Sequence, residues 1–151
     1  MEVNKNSGSG SDPPFRAECI TDRERFEAVR AAWDALAEVS PGAHVYQSHP
    51  WISAWLTHAR DGSPRILAAY RGERMTAALP LCLHQSGLGP FGLRTLRVAA
   101  DSSDFGDALC DPAFPGDLVV LWSEALRRRD WHLMDLRYVR PGSLLASVAA
   151  K

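Results

Sequence analysis

Apolar residues recur at helical spacing in some stretches of this chain and at strand spacing in others, with Pro, Gly and Asp marking the borders between them. Phe15 to Ile20 reads as a short strand, and Thr21-Asp22-Arg23-Glu24 has the form of a capping box, with Thr21 as cap and Glu24 reaching back. Phe26, Val29, Trp33, Leu36 and Ala37 follow at helical spacing, which predicts one amphipathic helix ended by Pro41-Gly42. A second helix is expected from about His49 to Ala59, stopping near Asp61-Gly62. At its start Ser48 can accept a bond from a first-turn amide, and Pro50 sits where a missing N–H costs nothing. Trp51 and Trp55, four residues apart, then lie on one face of that helix.

Strand patterns come next. Arg65 to Tyr70, the turn Arg71-Gly72-Glu73, and Arg74 to Leu83 read as a β-hairpin, with Pro80 marking a bulge or an unpaired position. Leu93 to Ala99 reads as a third strand of the meander, and Asp101 to Pro115 as a turn-rich acidic loop around Ala108-Leu109-Cys110. Leu118, Leu121, Trp122, Ala125 and Leu126 predict another amphipathic helix, followed by a strand over Trp131 to Tyr138. Pro141-Gly142 ends that strand, and Ser143 can cap a further helix. Strands and helices in this order predict an α+β fold with a mostly antiparallel sheet flanked by helices.

Composition narrows the class. A chain of 151 residues with 46% apolar residues fits one globular domain, here 14–151, behind a polar, Gly/Ser-rich leader over 1–13 that is expected to be disordered. A net charge of −1 gives no field drawing the chain to nucleic acid or an anionic membrane. Cys19, Cys82 and Cys110 form no CxxC pair and no disulfide framework, which suits a reducing cytoplasm. The first residues lack the apolar core of a signal peptide, and the longest apolar run, Ala77 to Leu83, is too short to span a bilayer.

Candidate chemistry is sparse. Gly87-Leu88-Gly89-Pro90-Phe91-Gly92 matches GxGxxG, but a strand-like segment follows where a dinucleotide fingerprint needs a helix, so a hairpin loop is expected. The same glycines fail as an acyl-CoA pyrophosphate loop, because His84 stands where Gln or Arg belongs and no helix opens. Asp101 to Asp107 gathers three carboxylates without the alternate spacing and distal Glu of a calcium loop. It reads as a solvated turn, or as a loop presenting Asp104 or Asp107 to a polar or amine substrate. His44, His49, His58, His84 and His132 show no metal-ligand spacing and read as surface or capping residues, and no Ser lies in a nucleophile elbow. Arg127 to Arg129 read as a solvated helix end.

Several of these segments together resemble the N-terminal half of a bacterial acyltransferase family, the FemAB-like, cellulose-biosynthesis CelD-type branch of the GNAT superfamily. Phe26 to Leu36 resembles its opening helix and Tyr46 to Leu56 its second, with a Ser-x-x-Trp and a second aromatic. Ala78-Leu79-Pro80-Leu81 resembles its Pro-Leu strand, Ser103 to Asp107 its acidic loop, and Trp131 to Arg137 with Pro141-Gly142-Ser143 the strand and cap closing the first half. The likeness runs over roughly residues 15 to 145 and implies a GNAT-like three-layer domain. It implies acyl transfer by direct attack of a small-molecule amine on an acyl-CoA or similar donor, with no acyl-enzyme. Such proteins carry two GNAT-like halves, with the donor site mostly in the second. The resemblance therefore implies a second GNAT-like half, in a missing C-terminal region or a partner chain, with acyl-CoA not bound by this chain alone. Trp51, Trp55, Asp104 and Asp107 are the substrate-facing candidates, and the two Trp are expected to divide between core and cleft. The alternative is a non-catalytic binding or scaffolding module of the same fold.

Overall fold

The computed structural model describes residues 13–58, 62–87, 91–99 and 106–150. The predicted leader over 1–13, apart from its last residue, and the loop around Asp104 lie outside the described residues. Strand β1 spans Phe15–Ile20 as expected, but the first helical region is two helices, α1 (Arg23–Ala28) and α2 (Arg30–Val39). The break falls at Val29, whose φ of −94° and ψ of 8° leave the helical region, with its N–H turned to Phe26 O at 3.2 Å. Asp22, not Thr21, caps α1, its carboxylate accepting from Arg25 N at 2.8 Å. The capping signal was read one residue early, and a carboxylate there also meets the positive end of the helix dipole.

A 3-10 turn (Val45–Gln47) leads into α3 (His49–His58). The Ser48 hydroxyl donates backward to Val45 O at 2.6 Å, so it closes the preceding turn rather than accepting from α3. The hairpin then runs as β2 (Gly62–Pro64), β3 (Ile66–Arg71), β4 (Arg74–Leu79) and β5 (Leu81–Ser86). Each long arm breaks once, at Arg65 and at Pro80, and the break divides the strands into two sheets. One has the order β1-β3-β4-β7, the other β2-β5-β6-β8, where β6 is Leu93–Val98, β7 Leu109–Cys110 and β8 Leu133–Asp135. Pro80 offers no N–H, but its carbonyl accepts from Ala99 N at 2.7 Å, so the strand changes partner at the residue that cannot donate. The short apolar piece read as loop is β7, pairing through Leu109 and Cys110 with β4.

Helices α4 (Pro115–Arg127) and α5 (Leu144–Ala149) complete the chain. The sequence expected a strand over Trp131 to Tyr138; only Leu133–Asp135 is extended, and it pairs parallel to β6. Alternation along the strands sorts side chains into two cores. Leu67, Leu79, Leu81, Leu96 and Val98 face α4 and α5, while Ile66, Ala68, Tyr70, Ala78 and Cys82 face α1 to α3. Helices on both sides of mostly antiparallel strands make a three-layer α+β domain.

Candidate functional site

The strand pair β6 and β8 is the parallel one, and α4 lies between them in sequence, as a parallel connection requires. In open parallel sheets ligands bind outside the carboxyl ends of the strands, and this one parallel pair offers a place of the same kind. A cavity of about 370 Å³ lies on the segments leaving those two ends, lined by Asp107 after β6 and by Arg140 to Leu144 after β8. Pro41 and Gly42, from the turn after α2, form its remaining wall. Gly42 and Gly142 have φ of 74° and 79°, the left-handed region that side chains resist, so both Pro-Gly turns depend on glycine. Gly106 N donates to Tyr138 O at 3.2 Å, which ties the two post-strand segments together. Tyr138 itself holds φ at 59°, at a cost of roughly 1–2 kcal/mol for a residue with a side chain.

The polar groups of this recess are unequal. The Asp107 carboxylate accepts from Ala108 N at 2.8 Å, Leu144 N at 3.3 Å and Leu145 N at 2.7 Å, so it anchors the start of α5. Ser143 completes that cap by accepting from Ala146 N at 3.2 Å. Arg140 supplies the guanidinium of the lining. Backbone turns and one cation suit a group with acceptor oxygens, while the carboxylate is already saturated with donors.

His44 stands next to this wall. Its backbone N–H donates to Gln47 Oε1 at 3.0 Å, which turns the Gln47 amide nitrogen toward the ring Nε2 at 3.3 Å, a contact that suits the neutral imidazole. Burial, then the Arg140 charge, hold its pKa below the ordinary 6.5, with the Asp107 charge opposing. The unfolded chain therefore takes up a proton at a higher pH than the folded one. Stability is expected to fall as pH drops below 6.5 through the depressed folded value. Urea titrations across that range should show the slope in the native chain and a flatter one in His44→Gln.

The predicted site residues are scattered. Trp51 is 41% exposed and meets Tyr46 edge-on at 5.1 Å, whereas Trp55 is half-buried against the α1–α3 core with its ring 6.1 Å from His84. Neither lines the cavity that holds Asp107, and Asp104 lies outside the described residues. His49 is a core residue rather than a surface one: it is 1% exposed, stacks on Phe26 at 4.3 Å and pairs Nε2 with Phe26 O at 2.9 Å. Arg140 and the Pro41-Gly42 turn escaped sequence reasoning because Pro-Gly pairs were read only as stop signals. Nothing along the chain says that two such stops, about a hundred residues apart, share a wall.

Elsewhere polar groups are paired for architecture. Arg71 grips Asp117 through Nε at 3.0 Å and a terminal nitrogen at 2.9 Å, and Thr76 Oγ1 donates to the same carboxylate at 2.7 Å. Arg74 pairs with Asp111 and lies near the Phe114 ring. Among the described residues no three His, Cys, Asp or Glu side chains come close enough to hold a metal ion. No described helix is long and apolar enough to cross a membrane.

No family model matches this chain, and no curated protein matches it. Some solved structures share parts of its shape. One is an aminoglycoside acetyltransferase from an uncultured soil metagenomic sample, solved in complex with sisomicin and with trehalose. In both complexes it is 10% identical at a TM-score of 0.45, over 82% of this chain and 76% of that one. Another is the ribosomal-protein-alanine N-acetyltransferase of Brucella melitensis biovar Abortus 2308, 12% identical at a TM-score of 0.42, over 85% of this chain and 82% of that one. At these scores and identities the likeness carries no functional inference.

Proposed function

We propose that this chain is an N-acyltransferase domain of the GNAT superfamily, in its FemAB-like, CelD-type branch, which works with a second GNAT-like half. The observation that carries the reading is the recess at the carboxyl ends of β6 and β8, where a three-layer domain of this strand order offers acceptor-binding space. The sequence resemblance over roughly residues 15 to 145 supports it independently. In the reaction a neutral amine attacks the donor's thioester carbonyl, the C–S bond breaks, and the thiolate leaves with the proton the amine gives up.

The donor does not fit this chain alone. A pyrophosphate seeks the free amides of a helix start, but the first turn of α4 already holds the buried Asp117 carboxylate. We assign the donor site to the second half, as the resemblance implies. Leu93 and Leu133 are the surface we assign to that half. They point to the α1–α3 side of the β6–β8 margin, 45% and 48% exposed, and Leu93 follows closely on the 93% exposed Phe91.

The test is a thermal-shift titration with acetyl-CoA, alongside an assay for thiol release with primary amines. The chain alone should show no shift and no release, and the chain supplied with a second GNAT-like half should show both. A dose-dependent shift of the chain alone would overturn the division of labour, and no release by the pair with any amine would overturn the enzyme reading. The saturated state of Asp107 favours one second reading, a binding module of this fold without catalysis.

A further inference from the structure

We propose that β1 is a self-association edge, through which two copies of this chain pair antiparallel about a two-fold axis at Ala17. The hydrogen-bonding phase of β1 selects that centre. Gly72 N donates to Pro14 O at 3.1 Å, and the register continues through Phe15 opposite Arg71 to Ile20 opposite Ile66. Bonded and non-bonded pairs alternate along an antiparallel ladder, so Arg16, Glu18 and Ile20 turn their backbone groups to β3. Phe15, Ala17 and Cys19 turn theirs outward. β1 ends its sheet, so no described strand meets those outward groups. Such a row is a template for another strand.

Side chains then select the partner. With the axis at Ala17, the outward residues pair as Phe15 with Cys19, Ala17 with Ala17, and Cys19 with Phe15 of the second copy. Arg16 falls opposite Glu18 twice, at the close-approach sites between the bonded pairs. Arg16 and Glu18 already meet within one chain at 2.7 Å, and Arg25 holds the same carboxylate at 3.0 Å, so the pairing adds Arg16 of the second copy to a carboxylate that already collects cations. Moving the axis to Cys19 sets Glu18 against Ile20, and moving it by half a residue puts outward groups against inward ones. The charge order of one strand is thus complementary to its own reverse.

The other row adds packing. Phe15, Ala17 and Cys19 face the α4 side, where Cys19 borders a cavity of about 280 Å³ shared with Ala17, Leu67, Glu124 and Arg128. Phe15 is 42% exposed in the single chain. Paired opposite Cys19, the phenyl ring of the second copy lies beside that cavity, between its apolar floor and the α4 side chains. The two four-stranded sheets become one continuous sheet of eight.

Sedimentation across a concentration series should show a species of twice the 16.6 kDa chain mass that dissociates on dilution. Ala17→Pro removes an outward N–H that β3 does not use, so it should stay folded by circular dichroism and run as a monomer. Arg16→Glu sets like charges together and should weaken association at least tenfold. In a Cys19→Ser background, Ala17→Cys should give an interchain disulfide on mild oxidation, since bonded pairs place Cα atoms about 5.5 Å apart. Phe15→Cys in that background should not, and Cys82 and Cys110 are buried and do not compete. A native chain that stays monomeric at every concentration overturns the proposal, as does an Ala17→Pro variant that still dimerises. Should that variant unfold, absence of the disulfide from Ala17→Cys overturns it instead.

Discussion

Replacing Trp33 by alanine is expected to destabilise the fold by about 3–5 kcal/mol, as for other buried aromatics cut back to a methyl group. The indole is fully buried, packs edge-on to Phe26 at 5.1 Å and donates through Nε1 to Gln47 O at 2.9 Å. Phe26 in turn stacks on His49, so one side chain joins α1, α2, the 3-10 turn and the start of α3. The alanine variant loses apolar burial, leaves a cavity and strands a buried carbonyl in one change. A small domain is stable by only about 5–15 kcal/mol, so the midpoint in urea should fall steeply. Trp33→Phe keeps most of the packing and loses the hydrogen bond, with an expected cost of about 1–3 kcal/mol. Urea unfolding followed by far-ultraviolet circular dichroism reads both, and an alanine variant within about 1 kcal/mol of the parent would sink the idea that Trp33 organises this layer.

Asp117→Ala is expected to cost about 3 kcal/mol or more, because it removes one partner of a buried pair and leaves the other without its charge. The Asp117 side chain is 4% exposed and that of Arg71 22%, so some water reaches the guanidinium and the lower end of the range applies. Thr76 loses its acceptor in the same stroke. These three residues fasten the first turn of α4 to the β3–β4 hairpin, which fixes the helix that connects the parallel strands. Thr76→Val should therefore cost clearly less in the Asp117→Ala background than in the parent chain. A double-mutant cycle in urea tests this, and additive losses would show that the three do not act as a unit.

Much of the layout was readable along the chain, for reasons of local physics. Phe15–Ile20, α4 and the Gly72 turn follow from alternation, amphipathic spacing and turn chemistry, each decided within a few residues. Ser143 caps α5 as its residue type and position predict. Where the reading erred, a neighbour distant in sequence decided the outcome. Val29 carries a helical apolar phase, yet the helix breaks there while Phe26 and Trp33 seat against α3 and the 3-10 turn. Leu109-Cys110 is too short to signal a strand and becomes one because β4 offers free bonds beside it. Trp131 to Tyr138 looks like a full strand, but its edge position beside β6 holds only three residues extended.

The candidate site was less legible than the fold. Residue types at fixed spacing can announce a metal site or a nucleophile elbow, and this chain carries neither. Its recess is built from two Pro-Gly turns, a saturated carboxylate and one arginine, none of which is distinctive alone. Asp107 was picked out by the density of acids around it, but only the position of α5 brought two further backbone amides, beyond that of Ala108, onto its oxygens.

The sequence by itself determined the α+β class, the cores on either side of the strands and the charge order of β1, because periodicity and residue chemistry act locally. The tertiary structure decided that Pro80 divides one long hairpin between two sheets and that β8 joins β6 in parallel. It also decided that the segments after those strands meet at one recess. Those outcomes rest on hydrogen bonds and contacts between residues tens of positions apart, which no local pattern encodes.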